Sequence, residues 1–340
     1  MPRKTVQNNI TSAELLAQVN PKNMRLKKDF LQYLHSMQRS EKTCDAYSND
    51  LDIFFVYLLQ NCDNKFFVDM TKRDLISFQT YLIDENKNSP ARIRRIKATL
   101  SSLSRYIENV LDDEFPHYRN IVHAIESPPN TPVREKTVLT DEQCQELLDK
   151  LVEIHKYEQA CMVALAMFGG RRKSELVRFK VHYFDDSNII FGSLYKTPEP
   201  IKTKGRGGNK PLVVYTLAKE FKPYFDLWMK ERAEQSIESE WLFPDPADPT
   251  KHMDASTLNS WANTFSRLLG VDFYFHSCRH FACTALIKSG LPNEVIQHLF
   301  GWSTLDLVQV YNDLDPVDNL GQYFKDGKIV APQTKGLQDL

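Results

Sequence analysis

Residues 126–137, ESPPNTPVREKT, are rich in proline and polar side chains and carry no apolar stripe. Neither a helical nor a strand period runs through them, so the stretch reads as a linker. It divides a half whose apolar residues fall at helical spacing from a half that mixes helices with short β-branched runs. A chain of 340 residues holds about two domains, and this break falls where a boundary between them would.

The first half is helical in pattern. Leu26, Phe30, Leu34 and Met37 recur at helical spacing, and Tyr47, Leu51, Phe54 and Leu58 repeat it. Thr71 and Asp74 form a capping box. Ser89 and Pro90 open a further helix, with serine at the N-cap and proline in the first turn. That helix puts Ile93, Ile96, Leu100, Leu103 and Ile107 on one stripe. Beside the stripe run Arg94, Lys97, Ser101, Ser104 and Arg105. Cationic and hydroxyl groups in a row suit phosphate oxygens; a solvated helix face is the other reading of the same residues.

Apolar residues make up 42% of the chain, enough for two cores. No apolar run approaches the roughly 20 residues that span a bilayer, and the N-terminal residues lack the apolar segment of a signal peptide. The six cysteines are scattered without a CxxC pair, which fits a reducing compartment. The net charge of −1 argues mildly against nucleic acid, but the average hides local structure. Residues 90–107 hold Arg92, Arg94, Arg95, Lys97 and Arg105 with no acid. Residues 201–216 hold Lys202, Lys204, Arg206 and Lys210, again with no acid. Both are candidate DNA-binding clusters.

In the second half Thr140 and Gln143 cap a helix, and residues 157–168 read as a buried helix ending at Gly169 and Gly170. The runs at 188–191 and 211–215 read as strands flanking a loop, so a small sheet is expected. A helix over 255–270 closes at Gly270, and helices resume from 277. Four clusters could carry chemistry. Arg172 begins a helix, with Glu175 one turn on to orient a guanidinium. Lys204 lies in a Gly-rich loop that lacks the order of a Walker-type nucleotide site. His276 and Arg279 lie three apart. Trp302 precedes Tyr311, whose short helix Ser303 and Asp306 would cap.

Each signal is weak alone, since a lone tyrosine in an apolar helix is usually core. His276, Cys278, His280 and Cys283 raise the possibility of zinc, but Arg279 among them would repel a cation, so no metal is expected. The set is more specific than its members. Two guanidiniums can clamp the non-bridging oxygens of a phosphodiester and stabilise the charge of a pentavalent transition state. A lysine can protonate the leaving 5′ oxygen. A tyrosine, with an unperturbed pKa of ~10, can attack phosphorus once a base such as histidine draws off its proton. Such a site needs neither metal nor cofactor.

In this respect the sequence resembles the tyrosine recombinase, or phage integrase, family. GRRKSEL looks like the family's Gly-x-Arg-x-Ser-Glu-Leu box, which places the first catalytic arginine on Arg172 and its acidic supporter on Glu175. TKGRGGNKPLVVY is similar to the hairpin that carries the catalytic lysine, here Lys204. HSCRH matches the His-x-x-Arg-His box, giving His276, Arg279 and the supporting His280. FGWSTLDLVQVY resembles the segment leading to the nucleophile, Tyr311. Three departures stand out: Trp302 where most members have histidine, Phe300 in place of leucine, and a longer lysine loop that leaves Lys202 and Lys210 as further candidates for the acid.

The resemblance implies a mainly α chain with a small β-sheet. A helical, SAM-like core-binding domain (24–125) and a mixed α+β catalytic domain (138–325) would form a C-shaped clamp on DNA. They follow an N-terminal extension (1–23), are joined by the linker (126–137) and precede a tail (326–340). No separate arm-binding domain is expected in the extension. The implied activity is site-specific recombination through a 3′-phosphotyrosine and a Holliday junction. It would take place on double-stranded DNA carrying specific sites, within a tetramer and without a membrane. The expected location is cytoplasmic and nucleoid-associated. A type IB-like topoisomerase and a non-catalytic DNA-binding regulator of the same fold are the rival readings.

Overall fold

The computed structural model describes residues 10–129, 131, 138–203 and 210–313, with the backbone of 324–325 and 328–329. These fall into two compact units, residues 10–129 and 131 in one and 138–203 with 210–313 in the other.

The N-terminal unit is built of α1 (Ala13–Gln18), α2 (Pro21–Ser36), α3 (Glu41–Asn61), α4 (Lys72–Asp84) and α5 (Pro90–Val110). Each start has a side-chain cap. Asn20 and Ser40 accept from backbone N–H groups of α2 and α3, and Thr71 and Asp74 close the capping box expected for α4. Ser89 caps α5, with Pro90 in its first turn. The stripe from Ile93 to Ile107 is buried against Phe30, Phe54 and Phe78 in one core. Asn23, Asp50, Thr99 and Ser104 are polar side chains buried with it. Asn23 accepts from the Phe67 N–H (2.8 Å) and donates to the Lys65 carbonyl (3.0 Å), which ties α2 to the chain after α3. Asp50 is discussed below. Met37, expected on the stripe of α2, lies past its last residue and is exposed.

The second unit centres on α7 (Tyr157–Gly169), which is apolar on every face and buried from Ala160 to Met167. It packs against α6 (Asp141–Glu153), α9 (Ala218–Glu234) and α11 (Phe275–Lys288). Short α8 (Lys173–Leu176) follows it. Strands β1 (Ile189–Ile190), β2 (Leu194–Lys196) and β5 (Tyr215–Leu217) form an antiparallel sheet with Tyr195 opposite Thr216. Strands β3 (Ile201–Thr203) and β4 (Lys210–Leu212) form a separate hairpin. The run 211–215, expected as one strand, therefore feeds two sheets. The change comes at Val213 and Val214, where the Val214 N–H donates to Thr197 Oγ1 rather than continuing the β3 ladder. Phe191, expected within the first strand, takes a left-handed φ of 55° and ends it.

Helix α10 (Thr257–Leu269) closes at Gly270 as expected, and α11 starts at Phe275, two residues early. Helices α12 (Asn293–Phe300) and α13 (Asp306–Tyr311) pack on α11 around a small core of their own, which includes Phe300, Trp302 and Tyr311. The expected Ser303–Asp306 cap does not form. Leu305 occupies the N-cap position, no side chain caps α13, and Asp306 is its first helical residue. Strands β6 (Phe324–Lys325) and β7 (Lys328–Ile329) pair with each other. Among the described residues no helix is long and apolar enough to cross a membrane.

Candidate active site

The turn between α7 and α8 sets the first two functional groups. Gly170 takes a left-handed φ of 61°, and a Cβ there would lie 2.4 Å from the Phe300 ring, so only glycine fits the turn. Its carbonyl accepts from Arg279 Nη1 at 2.8 Å. Two residues on, Arg172 gives its backbone N–H to Glu175 Oε2 (3.1 Å) and its Nη1 to Oε1 (3.0 Å). Arg279 Nη1 stands 4.0 Å from the same carboxylate. One buried acid thus orients two guanidiniums that lie 107 positions apart in the chain (279 − 172). Arg172 remains partly open to solvent, whereas Arg279 is 0% exposed. Burial and the neighbouring Arg172 lower the Arg279 pKa to about 10, which leaves it protonated at neutral pH.

Helix α13 brings in the tyrosine. The Tyr311 hydroxyl lies 3.2 Å from His276 Nε2. Its ring stacks on Trp302 with centroids 4.9 Å apart and planes at 15°. The His280 ring lies 4.5 Å from it, and the Arg279 Cζ sits 5.3 Å from its centroid and 5.1 Å from that of Trp302. Arg279 Nε, Arg279 Nη2 and Trp302 Nε1 are buried in this cluster with no acceptor among the described residues. A buried donor left unsatisfied costs about 1–3 kcal/mol. Three donors packed against the Tyr311 and Trp302 rings can serve an oxyanion, and two of them belong to a guanidinium charged at neutral pH.

Arg172, Glu175, His276, Arg279, His280, Trp302 and Tyr311 are thus brought together. Lys204 and Arg206 lie outside the described residues. The hairpin that bears their loop is fixed beside α8, because Arg178 Nη1 donates to the Lys202 carbonyl at 2.7 Å. The Lys202 side chain is exposed, and Lys210 lies on β4.

The helical cluster sits on the other unit and differs in detail from the sequence reading. Arg92 and Arg95 both bind buried Asp50, and Arg94 donates to the Pro128 carbonyl at 3.0 Å. Burial and Arg94 lower the pKa of Lys97, and Arg105 is exposed. Ser104 does not belong to the polar row. It is fully buried and shares a hydrogen bond with the Tyr118 hydroxyl.

Sequence reasoning missed four contributors. Asp313 Oδ2 lies 3.2 Å from His280 Nδ1. Thr284 bonds to the backbone at both Tyr311 and Asp313. Phe300 stacks on Trp302, and Arg171 bonds to the Leu299 carbonyl. Phe300 stands out in the sequence only as a departure from the family's leucine, and Arg171 carries a signal as a charge at the end of a buried apolar helix.

Residues 137–317, more than half of the chain, match the phage integrase family model, and residues 26–117 match its N-terminal SAM-like domain. The chain belongs to the phage integrase family. It is a site-specific tyrosine recombinase. Among its relatives is the SPbeta prophage-derived recombinase-like protein YomM of Bacillus subtilis (strain 168). The two are 30% identical over 83% of this chain and 77% of that one. A tyrosine recombinase of Thermosipho africanus (strain TCF52B) is 26% identical over 83% of this chain and 92% of its own. The fold of this integrase-family chain is similar to that of the XerH site-specific recombinase bound to a palindromic difH substrate in a post-cleavage complex. The TM-score is 0.65 at 16% identity, covering 88% of this chain and 83% of that one.

Proposed function

We propose that this recombinase cleaves DNA with Tyr311 and that the roles divide as follows. The Tyr311 hydroxyl oxygen attacks the scissile phosphorus while His276, at 3.2 Å, accepts its proton. Arg172 and Arg279, aligned by Glu175, hold the non-bridging oxygens, and the Trp302 indole N–H adds a third donor. Lys204 gives its proton to the departing 5′ oxygen. The products are a 3′-phosphotyrosine and a free 5′-hydroxyl. Attack by a 5′-hydroxyl of a partner duplex reverses the step and frees Tyr311. The ester keeps the bond energy, so no ATP is consumed. His280, held by Asp313, supports the site. The observation that carries this reading is the juxtaposition of the tyrosine hydroxyl, a histidine and the unpartnered N–H groups of buried Arg279 and Trp302.

The domain assignment is part of the same proposal. The extension (1–23) precedes the core-binding domain (24–125), and the linker (126–137) leads to the catalytic domain (138–325). The two domains would close on duplex DNA as a clamp, with Arg92, Arg94, Arg95, Lys97, Arg105, Lys202, Arg206 and Lys210 facing the backbone. Two rounds of exchange would pass through a Holliday junction in a tetramer, in the cytoplasm at the nucleoid. The 326–340 tail, of which only the backbone of Lys328 and Ile329 is described, would couple neighbouring subunits.

Sequencing DNA crosslinked to the protein identifies the site, and a nicked suicide duplex carrying it tests the chemistry. The wild type should leave a covalent adduct at Tyr311, and Tyr311→Phe should leave none. An adduct that survives in Tyr311→Phe would falsify the assignment.

A further inference from the structure

Two residues of the catalytic unit have no part in the scheme above, and they touch each other. Arg171 adjoins Arg172 in sequence, yet its side chain turns inward and is 1% exposed. Burial and the nearby Arg279 lower its pKa to about 9, so it is charged at neutral pH. Its Nη2 donates to the carbonyl of Leu299, in the last turn of α12, where a cation complements the helix dipole. Its Cζ lies 6.0 Å from the centroid of Phe300, the next residue.

Phe300 forms one end of a column. It stacks on Trp302 with centroids 4.5 Å apart and planes at 21°, and Trp302 stacks on Tyr311. Arg279 runs along this column, with its Cζ 5.0 Å from Phe300, 5.1 Å from Trp302 and 5.3 Å from Tyr311. The reactive end is the Tyr311 hydroxyl. The other end is closed by Gly170, whose missing side chain leaves room for the Phe300 ring, and by Arg171. Flat rings hold their neighbours only if the last ring is itself held, because packing transmits displacement.

We propose that Arg171 and Phe300 are a positioning pair for strand cleavage. They fix the far end of the Phe300–Trp302–Tyr311 stack and so place the Arg279 guanidinium and the phenol oxygen. Neither touches the reacting atoms. A leucine at 300 fills part of the volume but offers Trp302 and Arg279 no flat face. A methionine at 171 keeps the length but gives Leu299 no donor and Phe300 no cation. The inference rests on Tyr311 as the nucleophile.

The test uses the full chain and the suicide duplex, with single-turnover cleavage at saturating protein, duplex affinity and melting measured side by side. Phe300→Leu should cleave about tenfold more slowly and Arg171→Met about fivefold, with duplex affinity within about twofold of wild type. The double variant should lose less than the product of the single losses, because the pair acts as one unit. Phe300→Tyr keeps the ring and should recover most of the rate. Should a variant melt too low to assay, Phe300→Met and Arg171→Lys at reduced temperature decide by the same criteria. Wild-type cleavage rates in both single variants, losses that multiply in full, or losses that follow duplex affinity would overturn the pairing. A wild type that leaves no covalent adduct removes the nucleophile and this inference together. An adduct formed equally fast by Phe300→Leu removes this inference alone.

Discussion

Each unit of the molecule contains a buried carboxylate that faces two arginines. In the helical unit Asp50 accepts from Arg92, Arg95 (2.7 Å) and the Thr99 hydroxyl (2.9 Å), and both arginines reach solvent. In the catalytic unit Glu175 accepts from Arg172 and stands beside Arg279, whose Nε and Nη2 are buried with no acceptor in hydrogen-bond geometry among the described residues. The first arrangement is complete by itself. The second leaves buried donors over. The two clusters thus differ not in the buried acid but in the donors left over. Such donors lower stability for the sake of binding.

The difference can be tested by removing one partner at a time. The largest effect is expected for Arg279→Ala: about 10³-fold slower cleavage of the suicide duplex, or about 4 kcal/mol at the transition state. Duplex affinity should change far less. Next comes Asp50→Asn, which leaves two like charges without their acid. It should lower unfolding stability by about 3 kcal/mol in urea titration, while single-turnover cleavage by the folded fraction stays near wild type. If cleavage falls in parallel, the Asp50 cluster is coupled to the chemical step rather than confined to stability and duplex binding. Glu175→Gln keeps an acceptor but loses the charge, and about 30-fold slower cleavage, near 2 kcal/mol, is expected. The smallest effect concerns a third acid. Burial together with Glu231 raises the pKa of Glu158 to about 7. Because that value exceeds the carboxyl's usual one, the folded state binds the extra proton. The contribution is present at low pH and is lost as pH rises from about 4.5 to 7. Wild-type Tm should therefore decline by about 2 °C more than that of Glu158→Gln across this window.

The elements that could be read from sequence were those with local causes. Thr71 with Asp74, Ser89 with Pro90, and Thr140 with Gln143 announced helix starts because caps act within one turn. Arg172 with Glu175 was legible for the same reason. The gathering of the active site was not local, and resemblance to a family supplied it. What stayed hidden depends on partners distant in sequence. Asp50 sits in an apolar helix and gives no sign of arginines 42 and 45 positions away. Ser104 lies in a polar row yet turns toward Tyr118. Val213 and Val214 belong by composition to a strand, but Thr197 captures the Val214 N–H and splits the run between two sheets. The stacking of Phe300 follows from where the α12–α13 turn folds back, which no short window of sequence contains.

Thr284 adds a mechanical consequence. Its one hydroxyl donates to the Tyr311 carbonyl at 3.3 Å and accepts from the Asp313 N–H at 3.1 Å. The residue lies on α11, the helix that also bears His276 and Arg279. His276, Arg279 and the backbone at Tyr311 are thus held by a single helix. Tyr311 and Asp313 are therefore anchored through their backbone to that helix as well as through the Tyr311 side chain, so a displacement of α11 carries the chain at both positions with it.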